Sequence, residues 1–194
     1  MLKAKEFNKF VYEVEKCYQF FCIWRYLHNK NFGKVYKRVG GSGYRNFWGV
    51  VSVALQNEFC LGVRRLVDTD KSPYKEDRLS IEYICKNIDP KLAVLFRNDL
   101  NKHNRFIKHV KTFSTNYLAH ASLNDILSEK DNLIPSGREK FFLTLATYIK
   151  KIKESNPELE KCTDINLNFL ENISKTGVEN LFKDLRRSTE KYEQ

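Results

Sequence analysis

Apolar residues recur every three or four positions along most of this chain, and in an α-helix that interval places them on a single face. In residues 3–29 the apolar positions with this spacing are Phe7, Phe10, Val11, Val14, Tyr18, Phe21, Cys22 and Trp24. No segment alternates apolar and polar residues between turn signals in the manner of a β-strand. We therefore predict an all-α protein whose first long helix covers residues 3–29.

The remaining apolar pattern predicts how the helices follow one another. Residues 46–67 are so strongly apolar that they predict a central second helix, and residues 79–87 predict a short third helix. The last predicted helix covers residues 178–192. Long helices joined by short loops favour antiparallel neighbours. We expect an up-down bundle of about five to seven helices, folded as a single domain over residues 1–194.

Two helix starts carry capping signals. Asp89 and Pro90 supply an N-cap and a first-turn proline for a long helix over residues 90–127. Ser136, followed three positions later by Glu139, has the pattern of a capping box that opens the next helix. Both signals predict sharp helix boundaries.

The five cysteines and the start of the chain limit its location. The cysteines, at positions 17, 22, 60, 85 and 162, form no C-x-x-C pair and have no histidines at zinc spacing. We predict buried thiols in a reducing compartment, with no metal site and no cofactor. The N-terminus lacks the apolar core of a secretory signal, and no stretch reaches the roughly 18 apolar residues that cross a membrane. These features predict a cytoplasmic protein without a membrane segment.

A narrow polar stripe follows the predicted helix of residues 90–127. At about 100° per residue, the stripe contains Arg105, His109, Thr112, Asn116 and His120. It borders the apolar face, so His120 lies where a histidine is half-buried yet reachable, as a general acid or base must be. A hydrogen-bonded packing histidine is the alternative interpretation of the same position.

Two short phrases carry a resemblance to a known family. The phrase NYLAH at residues 116–120 resembles the signature of the HEPN superfamily, in which an arginine precedes a histidine with four to six residues between them. The phrase WGVVSVALQNEFCLGVRRLVD at residues 48–68 is similar to the helix that ends in Arg-Leu-x-Asp in the abortive-infection U-type branch. In this chain Thr115 stands where the arginine of the signature is expected.

The resemblance implies an HEPN-like helical fold and a homodimer in which the histidine and arginine of two protomers meet. It also implies a metal-independent endoribonuclease of a phage-defence or toxin-type system, with RNA as substrate and an antitoxin or other protein as a possible partner. Attack of a ribose 2′-OH on the adjacent phosphate needs only proton transfer and charge stabilisation. The implied acid or base is His120, and Asn116 would orient it or the phosphate.

The missing arginine leaves two sources of positive charge open. Arg64 and Arg65 lie on the preceding apolar helix and can approach the motif in space. Arg65 and Asp68 match the Arg-Leu-x-Asp phrase by position, although a simple ion pair between residues three apart also explains them. Only tertiary geometry decides between these interpretations.

A second match to the signature supplies the runner-up site. Arg97 and His103 have five residues between them and a polar residue after the arginine. On the helical count His103 falls in the middle of the apolar face, where a buried neutral histidine is expected. The alternative function is a non-enzymatic interaction module that keeps the fold and the dimer and binds a nucleotide or a partner protein.

Net charge supports a polyanionic partner. The chain carries a formal net charge of +10 and has a pI near 9.3, which favours nucleic acid through counterion release and electrostatic steering. Lysine-rich surfaces also occur without nucleic acid. We assign the RNA-binding surface to Arg105, Lys108, His109 and Lys111, which cluster on the motif helix.

Overall fold

The computed structural model describes residues 1–28, 42–68, 79–115 and 137–190, except for the side chains of residues 42–46, 186 and 188–190. Seven α-helices lie in these ranges: α1 (Ala4–Leu27), α2 (Ser42–Val67), α3 (Ile81–Asn87), α4 (Pro90–Asn101), α5 (Asn104–Phe113), α6 (Arg138–Glu154) and α7 (Leu167–Glu190). A 3₁₀ helix, Pro157–Leu159, follows α6. Strands are absent from the described ranges, which confirms the all-α prediction for them.

Side-chain caps fix the starts of α3 and α4. The Asp89 carboxylate accepts a hydrogen bond from the Leu92 backbone N–H at 3.0 Å, and a proline occupies the first turn of α4, as predicted. The Ser80 hydroxyl accepts from the Tyr83 N–H at 3.2 Å and caps α3 in the same way. The first N–H groups of a helix lack an acceptor within it, so each cap stabilises its helix by about 1 kcal/mol.

The single helix predicted over residues 90–127 is wrong, because Lys102 and His103 separate α4 from α5. The backbone N–H groups of Lys102 and His103 donate to carbonyls three residues earlier, at 3.2 and 2.8 Å. Such bonds tighten the last turn and end α4. His103 is the N-cap residue of α5, with φ −100° and ψ 10°, so the helical count does not apply to it. Residues 116–127 lie outside the described ranges.

The N-cap of α6 lies one residue after the predicted N-cap. The N-cap residue is Gly137, which has a φ of 94° and offers no side chain for a cap. Glycine adopts this left-handed conformation at little cost. The turn at Gly137 therefore sets the start of α6, while Ser136 lies outside the described ranges.

The last helix begins at Leu167, well before the predicted residue 178. Its buried positions are Leu167, Leu170, Ser174, Val178 and Phe182. Ser174 interrupts this apolar series, and its hydroxyl donates to the Leu170 carbonyl at 2.7 Å. The bond satisfies a polar group within an apolar face, which is why the sequence pattern did not extend the helix to Leu167.

The chain divides into two compact units. The first comprises Met1–Cys17 and Cys60–Asn166, and the second comprises Tyr18–Phe59 and Leu167–Gln194. The largest fully buried side chains of the first unit include Phe7, Phe10, Phe96, Phe141, Phe142 and Tyr148. Phe96 stacks on Tyr148, with ring centroids 4.3 Å apart. This aromatic core supports α5, because Phe106 of that helix packs against Phe141 at 5.1 Å.

The second unit has a smaller core around Leu27, Trp48, Val178 and Phe182. The rings of Trp48 and Phe182 lie 5.8 Å apart. The second helix, predicted to be central from its apolar residues, is only partly covered in this unit. Phe47 and Val50 of α2 are 57% and 69% exposed, while Gln56 is buried. Apolar composition alone does not state which face of a helix is covered.

All five cysteines are buried, as predicted, and none forms a disulfide. Burial raises the pKa of Cys60 to about 12, and it is also the main cause that raises the pKa of Cys85 to about 11. Both thiols are therefore protonated at neutral pH, and a protonated thiol is a poor nucleophile. None of the helices in the described ranges has the length and apolar character to cross a membrane.

Candidate functional site

Arg64 lies beside Thr115, the position at which the sequence resemblance leads us to expect an arginine. Its Nη1 donates a hydrogen bond to the Thr115 hydroxyl at 3.3 Å, across 51 residues of sequence. Arg64 belongs to the last turn of α2, and Thr115 follows the end of α5 as an exposed residue. The residue at position 115 carries a hydroxyl and no positive charge. The fold nevertheless brings the guanidinium of Arg64 next to it.

The Asp68 carboxylate joins this arginine to a lysine. Arg64 Nε lies 3.4 Å from Asp68 Oδ2, and Lys111 Nζ lies 3.5 Å from Asp68 Oδ1. Lys111 Nζ also donates to the Val67 carbonyl at 3.3 Å, near the C-terminal end of α2. Carbonyls at the end of a helix carry partial negative charge, which favours a cation there. We call Arg64, Asp68, Lys111 and Thr115 the Arg64 cluster.

The Arg64 cluster is open to solvent. The side chains of Arg64, Asp68 and Lys111 are 36%, 26% and 41% exposed. Ion pairs of this exposure contribute only about 0.2–1 kcal/mol each, because water and salt screen them. An external anion that makes stronger contacts can therefore reach these cations.

Arg65, the other arginine named from the sequence, has a different environment. Its side chain is exposed on α2, and among the described residues Asp68 pairs with Arg64 and Lys111 instead. The ion pair predicted between Arg65 and Asp68 is therefore replaced by one that spans four residues. In a helix, residues four apart lie nearly one above the other, which suits such a pair.

The outer face of α5 extends the positive charge of the cluster. Arg105, Lys108 and His109 are exposed, while Phe106, Val110 and Phe113 are buried. Successive residues of an α-helix are rotated by about 100°, so this order separates a cationic face from an apolar one. Lys111 lies at the edge of the cationic face, where it contacts Asp68. Three of the four predicted RNA-binding residues are thus exposed, and the side chain of the fourth, Lys111, is 41% exposed.

Two catalytic predictions, Asn116 and His120, lie outside the described residues. Thr115 immediately precedes Asn116 in the chain. The assignments of acid or base to His120 and of orientation to Asn116 stay predictions from the sequence.

Arg97, the cation of the runner-up site, is engaged by a carboxylate. Arg97 Nε and Nη2 donate to the two Glu82 oxygens at 3.0 and 2.8 Å. This two-point geometry is the strong form of an arginine–carboxylate contact. The hydrogen bonds that Arg97 donates to Glu82 raise the pKa of Arg97. The pair joins α3 to α4. Glu82 therefore already binds the guanidinium that a phosphate would need.

His103, the other member of the runner-up pair, contacts different residues. Its Nε2 lies 2.9 Å from the Thr144 hydroxyl, and its ring meets Phe141 edge-on at 5.9 Å. Burial is the main cause that lowers the pKa of His103 below its ordinary value, so the ring is neutral at pH 7. Arg97 and His103 therefore face separate partners.

Sequence reasoning missed the partners of Arg97 and His103. Glu82 and Thr144 were not singled out, because each meets its partner only through tertiary packing. The approach of Lys111 to Asp68 likewise has no local signal. The described residues contain no group of three His, Cys, Asp or Glu side chains placed to hold a metal ion.

Comparison of the chain with protein-family models, with curated proteins and with solved structures finds no match.

Proposed function

We propose that this chain is an HEPN-like RNA-binding protein in which Arg64 replaces the missing arginine of the motif. The observation that carries the proposal is the hydrogen bond of 3.3 Å from Arg64 to Thr115. A guanidinium there supplies the positive charge that the motif position itself lacks. Arginine presents its N–H groups in a planar fork, which suits a phosphate.

The exposed basic residues of α5 complete the proposed RNA surface. Arg105, Lys108 and His109 are exposed along one helix, and the Arg64 cluster lies at the end of the same helix. A row of basic side chains can bind the sugar–phosphate backbone without reading the bases. We therefore expect weak, salt-sensitive binding with little sequence preference.

The proposed chemistry requires the residues that follow the cluster. His120 would act as general acid or base on a ribose 2′-OH, Asn116 would orient it, and Arg64 would hold the scissile phosphate. The product would carry a 2′,3′-cyclic phosphate, and no metal ion would be required. As in HEPN ribonucleases, two protomers would complete the site in a homodimer. A phage-defence or toxin-type system with an antitoxin is the biological setting that the resemblance implies.

Salt-dependent RNA binding tests this function. The fluorescence anisotropy of a labelled single-stranded RNA should rise with protein concentration at low salt, and affinity should fall steeply as salt increases. Arg64→Ala should weaken binding by about tenfold, the loss of one charged contact to phosphate. The control is Arg187→Ala, which removes the same charge from a side chain that is 77% exposed on α7. Absence of binding at low salt would contradict the proposal.

One observation favours the alternative function of a protein-interaction module. Phe47, Val50 and Val53 are exposed on α2 at intervals of three residues, and exposed apolar patches often mark protein interfaces. If this function holds instead, Val50→Asp should abolish self-association in sedimentation velocity measurements. Under that alternative, the chain should also show no salt-sensitive RNA binding.

A further inference from the structure

The Asp68 carboxylate engages two cations as an RNA phosphate would. One oxygen, Oδ2, faces Arg64 Nε at 3.4 Å, and the other, Oδ1, faces Lys111 Nζ at 3.5 Å. A phosphodiester also presents two anionic oxygens and would meet the same two cations. Asp68 therefore occupies the place that an RNA phosphate would take between Arg64 and Lys111.

The two ion pairs are weak enough to exchange. All three side chains are between 26% and 41% exposed, and pairs of this kind contribute about 0.2–1 kcal/mol each. Both distances exceed the 2.7–2.9 Å of a charge-assisted hydrogen bond, within which donor and acceptor are held tightly. A phosphate that approaches closely can therefore displace the carboxylate.

Asp68 is itself held by the backbone. Its N–H donates to the Arg64 carbonyl at 2.9 Å, so the residue continues the hydrogen-bonding pattern of α2. The backbone bond keeps the residue close to both cations, so the carboxylate can return to them when a bound anion leaves. Its negative charge therefore competes with every anion that enters the cluster.

We infer that Asp68 is an internal competitor of RNA, which lowers the affinity of the Arg64 cluster and holds its two cations in place when RNA is absent. This inference rests on the proposed RNA-binding function, and it names the residue that regulates the same site. Removing the carboxylate while keeping the shape of the side chain should strengthen RNA binding.

The experiment compares Asp68→Asn with a matched charge control. Asp164→Asn makes the same change at a carboxylate that pairs with Lys153 at 2.8 Å on the first unit. Both variants raise the net charge by one and release one or two cations. The affinity for a short single-stranded RNA is measured by fluorescence anisotropy over a series of salt concentrations, after circular dichroism has established the helical fold.

Asp68→Asn should bind RNA about fivefold more tightly, the change that corresponds to one exposed ion pair of about 1 kcal/mol. Its affinity should also depend more steeply on salt, by roughly one additional phosphate contact. Asp164→Asn should stay within about twofold of the parent protein, since its charge lies outside the cluster. Equal effects of the two substitutions, or weaker binding by Asp68→Asn, would overturn the inference.

A double-mutant comparison locates the effect. In an Arg64→Gln, Lys111→Gln background, Asp68→Asn should change RNA affinity by less than about twofold, because the cations for which Asp68 competes are gone. A full fivefold gain in that background would show that Asp68 acts elsewhere and would overturn the inference.

Inorganic pyrophosphate separates this inference from the function on which it rests. If neither the parent protein nor its variants bind RNA, the proposed function fails. The cluster is then tested by thermal unfolding in the presence of pyrophosphate. A larger rise in melting temperature for Asp68→Asn than for Asp164→Asn would support competition by Asp68 for an anion. Equal rises would reject it, together with the proposed function.

Discussion

Arg25 and Glu171 form an ion pair that joins α1 to α7 within the second unit. Arg25 Nη2 lies 2.5 Å from Glu171 Oε1, across 146 residues of sequence. The Tyr26 hydroxyl donates to the same oxygen at 2.9 Å, and the Tyr18 hydroxyl donates to Oε2 at 3.3 Å. One carboxylate thus accepts hydrogen bonds from three side chains of α1.

We expect Glu171→Gln to destabilise the protein by about 1 kcal/mol at pH 7, a value reduced for the partial exposure of the pair. Glu154→Gln is the control, because Glu154 is 61% exposed and pairs with Lys150 at 3.8 Å. It should change the free energy of unfolding by less than about 0.5 kcal/mol. Urea unfolding followed by circular dichroism measures both values, and equal effects would contradict a special role for Glu171.

The contribution of Glu171 should also depend on pH. Burial alone raises the pKa of Glu171, but the hydrogen bonds from Tyr26 and Arg25 outweigh burial and hold the pKa below its ordinary value of 4.5. A lowered carboxyl pKa contributes stability above the ordinary value and loses it as pH falls through the value in the folded state. The difference in the free energy of unfolding between the parent protein and Glu171→Gln should therefore shrink below pH 4.5. A difference that grows in acid would contradict the account.

Two glycines in helices should respond oppositely to alanine. A Cβ at Gly62 would overlap Cys17 Sγ in the core of the first unit, whereas a Cβ at Gly177 meets no atom within 4 Å. Gly62→Ala should cost about 1–3 kcal/mol through overpacking. Gly177→Ala should stabilise α7 by up to about 1 kcal/mol through helix propensity. The free energies of unfolding in urea provide the test.

Removing the Cys17 side chain is the control for the glycine prediction. In a Cys17→Ala background, Gly62→Ala should lose most of its cost, because the overlapping sulfur is gone. An undiminished cost in that background would place the strain elsewhere in the first unit.

The sequence predicted features that depend on neighbouring residues. Asp89 and Pro90 predicted the start of α4, and the helical spacing of apolar residues predicted the buried face of α1. The break at Lys102 and His103 was not predictable in this way, because the apolar spacing continues on both sides of it. The break is marked by two backbone hydrogen bonds to carbonyls three residues earlier, which the composition of the segment does not indicate.

The candidate site was only partly predictable for the same reason. The sequence named Arg64 as a residue that can approach the motif, and the structure brings it to Thr115. Pairing of Arg97 with Glu82 and of Lys111 with Asp68 depends on the packing of separate helices. The first half of α7 was not predicted, because Ser174 interrupts its apolar series. The Ser174 hydroxyl donates a hydrogen bond to the helix backbone, and apolar spacing alone does not indicate such a bond.

Any ribonuclease activity should depend on His120 and persist in a metal chelator. His120→Ala should lower the rate by about a hundredfold or more, the usual contribution of a general acid or base. His103→Ala should keep most of the activity, because His103 contacts Thr144 and Phe141 within the first unit. Electrophoresis of labelled RNA, with 2′,3′-cyclic ends detected by their resistance to phosphatase, measures the rates. Loss of activity in the chelator, or its survival in folded His120→Ala, would contradict the assignment.

We propose that Arg64 performs the phosphate-binding role of the arginine expected at position 115, and moving the arginine tests this proposal most directly. Arg64→Ala removes the guanidinium, and Thr115→Arg in that background returns a guanidinium at the motif position. In the parent protein the two positions are in contact, with Arg64 Nη1 3.3 Å from the Thr115 hydroxyl. We predict that Arg64→Ala weakens RNA binding by about tenfold and that the added Thr115→Arg restores the affinity to within about twofold. Unchanged affinity in Arg64→Ala, or no recovery in the folded double variant, would contradict the account.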